Sequence, residues 1–287
     1  MWNVLLDALI DSSIAAPFLL IIYLLIEFLE RNEKAKQKTV KLLNGRLAPL
    51  VAGGVGLVPQ CGFSVMATNL YCQNYLKMGT LIAFFVATSD EALPILLTNK
   101  NTIGVVWIVL LVKVVYAILL GYLINLFDKR RLATDYELKD DEGCCHHEIK
   151  EHKDKKFWNF VKHPLLHTLK IFIYIFVINT LFGLVLYFAQ EEILAFCSSI
   201  GFAQSFITAA IGLMPNCASS VIISGMYADG IIGLPAMLAG LVANSGIALA
   251  ILFKARKQWK RNLLIVAIMY AVGVVLGVST YFIMLAI

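Results

Sequence analysis

Residues 56–64 read GLVPQCGFS, and residues 212–220 read GLMPNCASS. Each sets a proline, an amide and a cysteine side by side in apolar surroundings. Proline has no backbone N–H and clashes with the carbonyl four residues earlier, so a helix breaks there. The carbonyls freed are those of Val55 and Ile211. Bare backbone at membrane depth is tolerated only where it is buried in protein or lines a cavity. A polar break made twice in apolar sequence therefore reads as a ligand site, with Gln60 and Cys61 in one copy and Asn216 and Cys217 in the other. The bland reading is a proline kink with two packed thiols, since free cysteine often behaves as a small hydrophobe. The duplication weighs against it.

The two copies belong to a longer repeat. Sliding the sequence by 156 positions aligns residues 56–97 with residues 212–253 without a gap, and about 15 of the roughly 42 pairs are identical. Fixed-period self-similarity marks a repeat architecture. The matching polar positions include Ser64 with Ser220 and Ser89 with Ser245; Asn244 stands where the first copy has Thr88.

Composition sets the environment. The chain has 287 residues, 60% hydrophobic and 15% charged. A soluble domain rarely looks like this. Residues 18–29, 103–127, 169–188 and 263–287 are apolar runs that approach or reach the roughly 20 residues needed to cross a bilayer. The acidic start, MWNVLLDALID, lacks the basic n-region of a signal peptide and reads as part of the first helix. The net charge of +5 resides in loops between apolar spans, so it argues for membrane topology and not for a nucleic-acid partner. Six cysteines, at 61, 72, 144, 145, 197 and 217, form no CxxC and no disulfide framework.

Three basic clusters begin at Arg31, Lys129 and Lys254. If all are cytoplasmic, both termini lie outside and the repeats run in opposite senses. Inverted repeats with interrupted helices in corresponding places are the signature of secondary transporters, which bind substrate near the midplane. The expected fold is an all-α polytopic membrane protein of two inverted-topology repeats, each with a broken or re-entrant helix pair. The expected parts are membrane repeat 1 (1–128), a cytoplasmic Cys/His-containing loop (129–162) and membrane repeat 2 (163–287).

Charged residues inside apolar spans are costly and functional by default. A helix over about residues 79–98 carries Thr88, Ser89, Asp90 and Glu91 at its centre, and Pro94 frees the Asp90 carbonyl. The second repeat keeps polarity there, in Asn244-Ser245-Gly246, but has no acid. Lys113, on the next span, lies about 15 Å along its helix and so shares a depth with Asp90. We expect Lys113 to pair with Asp90 or Glu91, leaving one negative charge for a proton or a cationic substrate. A purely structural acid pair is the competing reading. Asp7 and Asp11 share a helix face, near the outer interface and a possible vestibule respectively. In the middle loop, Cys144, Cys145, His146, His147 and His152 are soft donors suited to thiophilic metals, although adjacent Cys-Cys and His-His pairs are strained as one tetrahedral site; a solvated loop without metal is the alternative.

These motifs resemble a known family. GLVPQCGFS, TSDEALPILL (residues 88–97) and GLMPNCASS, with a Cys/His-bearing loop between the halves, are similar to the arsenic-permease-like, ten-transmembrane heavy-metal exporters. Members of that family are labelled arsenic efflux proteins or manganese transporters. The resemblance covers essentially the whole chain and implies efflux of a metal ion or metalloid.

The sequence thus points to a secondary-active, proton-coupled metal or metalloid exporter of the cytoplasmic membrane. Its central ligands would be Gln60, Cys61, Ser64, Ser89, Asp90, Asn216, Cys217, Ser220, Asn244 and Ser245. Coupling would fall to Asp90, Glu91 and Lys113. Cys61, Cys217 and Asp90 would hold a metal substrate centrally; Cys144, Cys145, His146 and His147 are a weaker loop cluster. No Walker motif is present, and no cofactor is expected. Lipid and the substrate are the expected partners, and a homo-oligomer is compatible. Two alternatives stay open. One is a transporter of an organic solute or organoarsenical, with Phe63, Tyr71 and Tyr227 shaping an apolar pocket. The other is a membrane thiol oxidoreductase, disfavoured by the missing CxxC and the lack of a nearby histidine base.

Overall fold

A computed structural model describes residues 45–57, 61–88, 92–98, 103–128, 202–216, 218–254 and 259–286, together with residues 173, 176, 177, 180 and 181. The described chain is helical throughout. The first group of helices is α1 (Ala48–Val55), α2 (Cys61–Cys72), α3 (Met78–Ala87), α4 (Ala92–Thr98) and α5 (Ile103–Phe127). The second group is α6 (Gln204–Gly212), α7 (Ala218–Ala228), α8 (Leu234–Ala243), α9 (Ala248–Lys254) and α10 (Trp259–Ala286).

The 156-residue shift maps one group on the other, element by element. Its reach exceeds what identity alone exposed: α3 and α8, and α4 and α9, begin and end at equivalent residues, and α5 and α10 begin at equivalent residues. The details repeat as well. The turn after α2 has Asn74 at φ 63°, and the turn after α7 has Gly230 at φ 73°. Thr68 Oγ1 donates to the Ser64 carbonyl at 2.8 Å, as Ser224 Oγ does to the Ser220 carbonyl at 2.7 Å.

Each group contains two interruptions. The first lies between α1 and α2, and again between α6 and α7, at the two Pro-amide-Cys motifs. Either side of the first motif stand the two short helices α1 and α2. The second interruption was not expected as such. The span over residues 79–98 is not one helix: α3 stops at Ala87 and α4 starts at Ala92, with Thr88 extended at ψ 127°. The equivalent Asn244 is extended at ψ 123°. Pro94 accounts for part of this, because it has no N–H to donate to the Asp90 carbonyl. In the second repeat Ala250 replaces that proline, and the stop is made differently. Asn244 Oδ1 accepts from Gly246 N at 2.9 Å, and Gly246 adopts φ 54°, a conformation natural to glycine.

Two long helices face outward. On α5 the buried positions are Val106, Val109, Lys113, Ala117 and Gly121; on α10 they are Asn262, Ile265, Met269, Val272, Gly273 and Gly277. Spacings of three and four put these on one stripe, and the stripes correspond under the shift. The other faces expose Trp107, Leu111, Leu119 and Leu126 on α5, and Leu263, Val275 and Phe282 on α10. A helix apolar on every face is what a bilayer selects. By length and apolarity, Ile103–Phe127, Leu234–Phe253 and Trp259–Ala286 can each cross a membrane. The expected span at 169–188 falls almost wholly, and that at 18–29 wholly, outside the described residues.

Between the long helices, the short ones are exchanged. Within each group α1, α3 and α5 pack together, as do α6, α8 and α10. Across the groups α2 packs on α9, and α4 packs on α7. The apolar clusters follow this exchange: Val65 and Tyr71 share a cluster with Ala248 and Leu252, while Ala92 and Leu96 share another with Ile223 and Met226. α3 and α8 are in direct contact at the centre. All nine residues after the first of each, Gly79–Ala87 and Pro235–Ala243, are buried.

Candidate functional site

The centre of the molecule is organised by one ammonium group. Lys113 is 1% exposed, on the inward stripe of α5. Its Nζ donates to the carbonyl of Thr88, the residue that ends α3, and to the carbonyl of Leu241 in the last turn of α8, the latter at 3.0 Å. The last carbonyls of a helix have no intrahelical donor, and the helix dipole adds negative potential there. Lys113 therefore ties together the terminal backbone of two half-helices, one from each repeat.

Around this point the buried polar groups are mostly hydroxyls and amides. Thr88, Asn244 and Ser245 are buried at the second pair of breaks. Thr88 Oγ1 donates back to the Phe84 carbonyl at 2.7 Å. Near the first pair, Asn216 is 1% exposed, and its carbonyl accepts from Ser219 Oγ at 2.7 Å. Ser64, Thr68, Ser219, Ser220 and Ser224 are fully buried on α2 and α7. Of these, the Thr68, Ser219 and Ser224 hydroxyls each donate to a backbone carbonyl three or four residues earlier, which satisfies them locally.

Lys113 reaches the carbonyl two residues before Asp90. Ser89, Asp90 and Glu91 themselves lie outside the described residues, as do Gln60, Cys217 and the 129–162 loop with Cys144, Cys145, His146, His147 and His152. Asp7 and Asp11 lie outside them too. Cys61 opens α2, and its side chain is not among those described. Tyr71 is buried in one apolar cluster and Tyr227 packs against the other. Among the described residues, no three of His, Cys, Asp and Glu come together as a metal site.

Sequence reasoning missed the Leu241 carbonyl. Nothing could have signalled it, because every residue has such an oxygen and only packing selects one. A trace of the Lys113 environment was nonetheless readable in the repeat. Where repeat 1 has Asp90, Glu91 and Lys113, repeat 2 has Gly246, Ile247 and Met269. Acids and base are absent together from the second repeat.

A family described as "Putative, 10TM heavy-metal exporter" matches residues 1–166 and 146–284. The chain belongs to this family. It is accordingly a helical membrane protein of a metal-exporter family, and the resemblance drawn from the Pro-amide-Cys and TSDEALPILL motifs is borne out. No curated protein and no solved structure gives a match. For this family member the residue roles must therefore come from its own geometry.

Proposed function

We propose that the protein is a secondary-active exporter of a heavy-metal ion or metalloid, coupled to protons, with its substrate site between the interrupted helices of two inverted repeats. One observation carries the proposal: the ends of α3 and α8 meet at Lys113. Transporters of this architecture bind substrate where discontinuous helices from the two repeats converge, and exchange access by rocking one part against another.

The reciprocal exchange of α2 and α4 with α9 and α7 supports a twofold relation between the repeats. Charge and depth support an axis in the membrane plane. Tyr116 Oη donates to the carbonyl of Val272 at 3.2 Å, and these are equivalent positions under the 156-residue shift. With an axis in the membrane plane, equivalent residues touch only near the midplane. Tyr116 lies within one residue of the midpoint of α5. This agrees with repeats inverted by the positive-inside rule, both termini outside and the basic middle loop in the cytoplasm.

In this reading Gln60, Cys61, Asn216 and Cys217 supply soft and amide ligands, and Asp90 or Glu91 carries the coupling proton. Lys113 neutralises one acid, leaving the other to exchange a proton with the substrate's charge. The test is uptake into inverted membrane vesicles across a panel of metal ions and oxyanions, with and without an imposed pH gradient. We expect gradient-dependent uptake of at least one thiophilic species, reduced at least tenfold by Cys61→Ser or Cys217→Ser. Uptake unaffected by both changes and by collapse of the gradient overturns the assignment.

A further inference from the structure

We propose that the carbonyls of Thr88 and Leu241 form a monovalent-cation site which the Lys113 ammonium occupies as a tethered ion. The observations are the 1% exposure of Lys113 and its two carbonyl acceptors, drawn from different repeats. In membrane carriers with broken helices, unwound carbonyls and half-helix C-terminal ends are the groups that coordinate sodium or protons. Here both acceptors are of that kind. Thr88 is the extended residue capping α3, and Leu241 lies in the last turn of α8. Two helix C-terminal ends brought together present the same negative potential, and a cation between them offsets their repulsion. An ion bound from solution could fill this place, but would have to be captured in every cycle. A lysine on α5 fills it permanently and fixes the two breaks relative to each other. The carrier then needs no bound monovalent ion to hold its two half-helices together.

The site stands apart from the identity of the exported species, and its failure would leave the export reading untouched. Removing the ammonium should convert it into a site for a free ion. Met269, at the equivalent stripe position of α10, is fully buried, so methionine is a side chain this stripe accepts. The experiment uses full-length protein in detergent, without substrate metal or gradient. Thermal unfolding is followed in NaCl, KCl or choline chloride at equal ionic strength, for wild type, Lys113→Met, Lys113→Gln and Lys113→Arg.

Lys113→Met and Lys113→Gln should unfold about 5 °C higher in NaCl or KCl than in choline chloride, as expected of a ligand that binds the folded state alone. Wild type and Lys113→Arg, which keep a tethered cation, should not distinguish the salts. Adding Asp90→Asn and Glu91→Gln to Lys113→Met separates carbonyl binding from attraction to exposed acids, and the salt effect should persist. The proposal is overturned by neutral variants indifferent to the cation, by an equal gain in wild type, or by loss of the effect with the acids. Failure of both neutral variants to fold in every salt overturns it as well, since a site that accepts free ions should be rescued by them.

Discussion

A buried lysine in a membrane protein must be balanced, and Lys113 is balanced in part by backbone. Carbonyls alone do not cancel a charge, and in the proposed reading an acid of the Asp90-Glu91 pair is the counter-ion. Asp90→Asn removes a charge and keeps the shape. If Asp90 serves only Lys113, the variant should lose about 3–5 kcal/mol and accumulate poorly, the cost of stranding a buried charge. If it carries the coupling proton, protein level should survive while gradient-driven transport falls. The double change Asp90→Asn with Lys113→Met should restore expression in both cases, and we expect that transport does not return. Full pH-dependent transport in the double variant would pass the coupling role to Glu91 or to no residue of this segment.

At the scale of helices, close glycine contacts on the two long helices are repeated with the fold. A Cβ on Gly121 would stand 2.8 Å from Pro49 Cβ and 2.9 Å from Ala83 Cβ; one on Gly277 would stand 2.7 Å from both Ala239 Cβ and Ser205 Oγ. These neighbours are equivalent under the 156-residue shift. Without a hydrophobic drive between helices in lipid, small residues that let backbones approach carry the association. The substitutions Gly121→Val and Gly277→Val should each cost about 1–3 kcal/mol through forced displacement of α1–α3 or α6–α8. Gly104→Ala, which meets nothing within 4 Å, should stay within about 0.5 kcal/mol. Unfolding in mixed micelles measures both. Equal tolerance at all three positions would mean that the long helices do not depend on close approach.

Across the whole molecule, the exchanged helices bear on how it moves. Because α2 is packed on α9 and α4 on α7, a rigid-body cut between the two sequence repeats would tear both apolar clusters. Moving bodies must therefore mix elements of the two repeats. Orientation is the checkable consequence of the charge argument. With all other cysteines removed, a single cysteine at position 145 should resist a membrane-impermeant thiol reagent in intact cells and react in inverted vesicles. Labelling from outside intact cells would reverse the topology, and with it the expected cytoplasmic loop.

The sequence was enough for the membrane class, the repeat with its 156-residue period, and both Pro-amide-Cys breaks. These are carried by composition and by proline, whose effects are local and independent of context. It also marked Lys113 as an inward residue at the depth of the acids, because a charge in an apolar run has few places to go. It read residues 79–98 as one helix in spite of Pro94, because a proline within a helix can kink it as well as end it; in the other repeat the break falls at Asn244-Ser245-Gly246, with no proline to mark it. The exchange of short helices between repeats was decided only in three dimensions: apolar faces of similar length and chemistry fit one another in more than one pairing, and shape settles which. So was the choice of Thr88 and Leu241 as partners of Lys113, because a carbonyl has no sequence signature, and only the placing of two helix ends around α5 brings those two oxygens to one nitrogen.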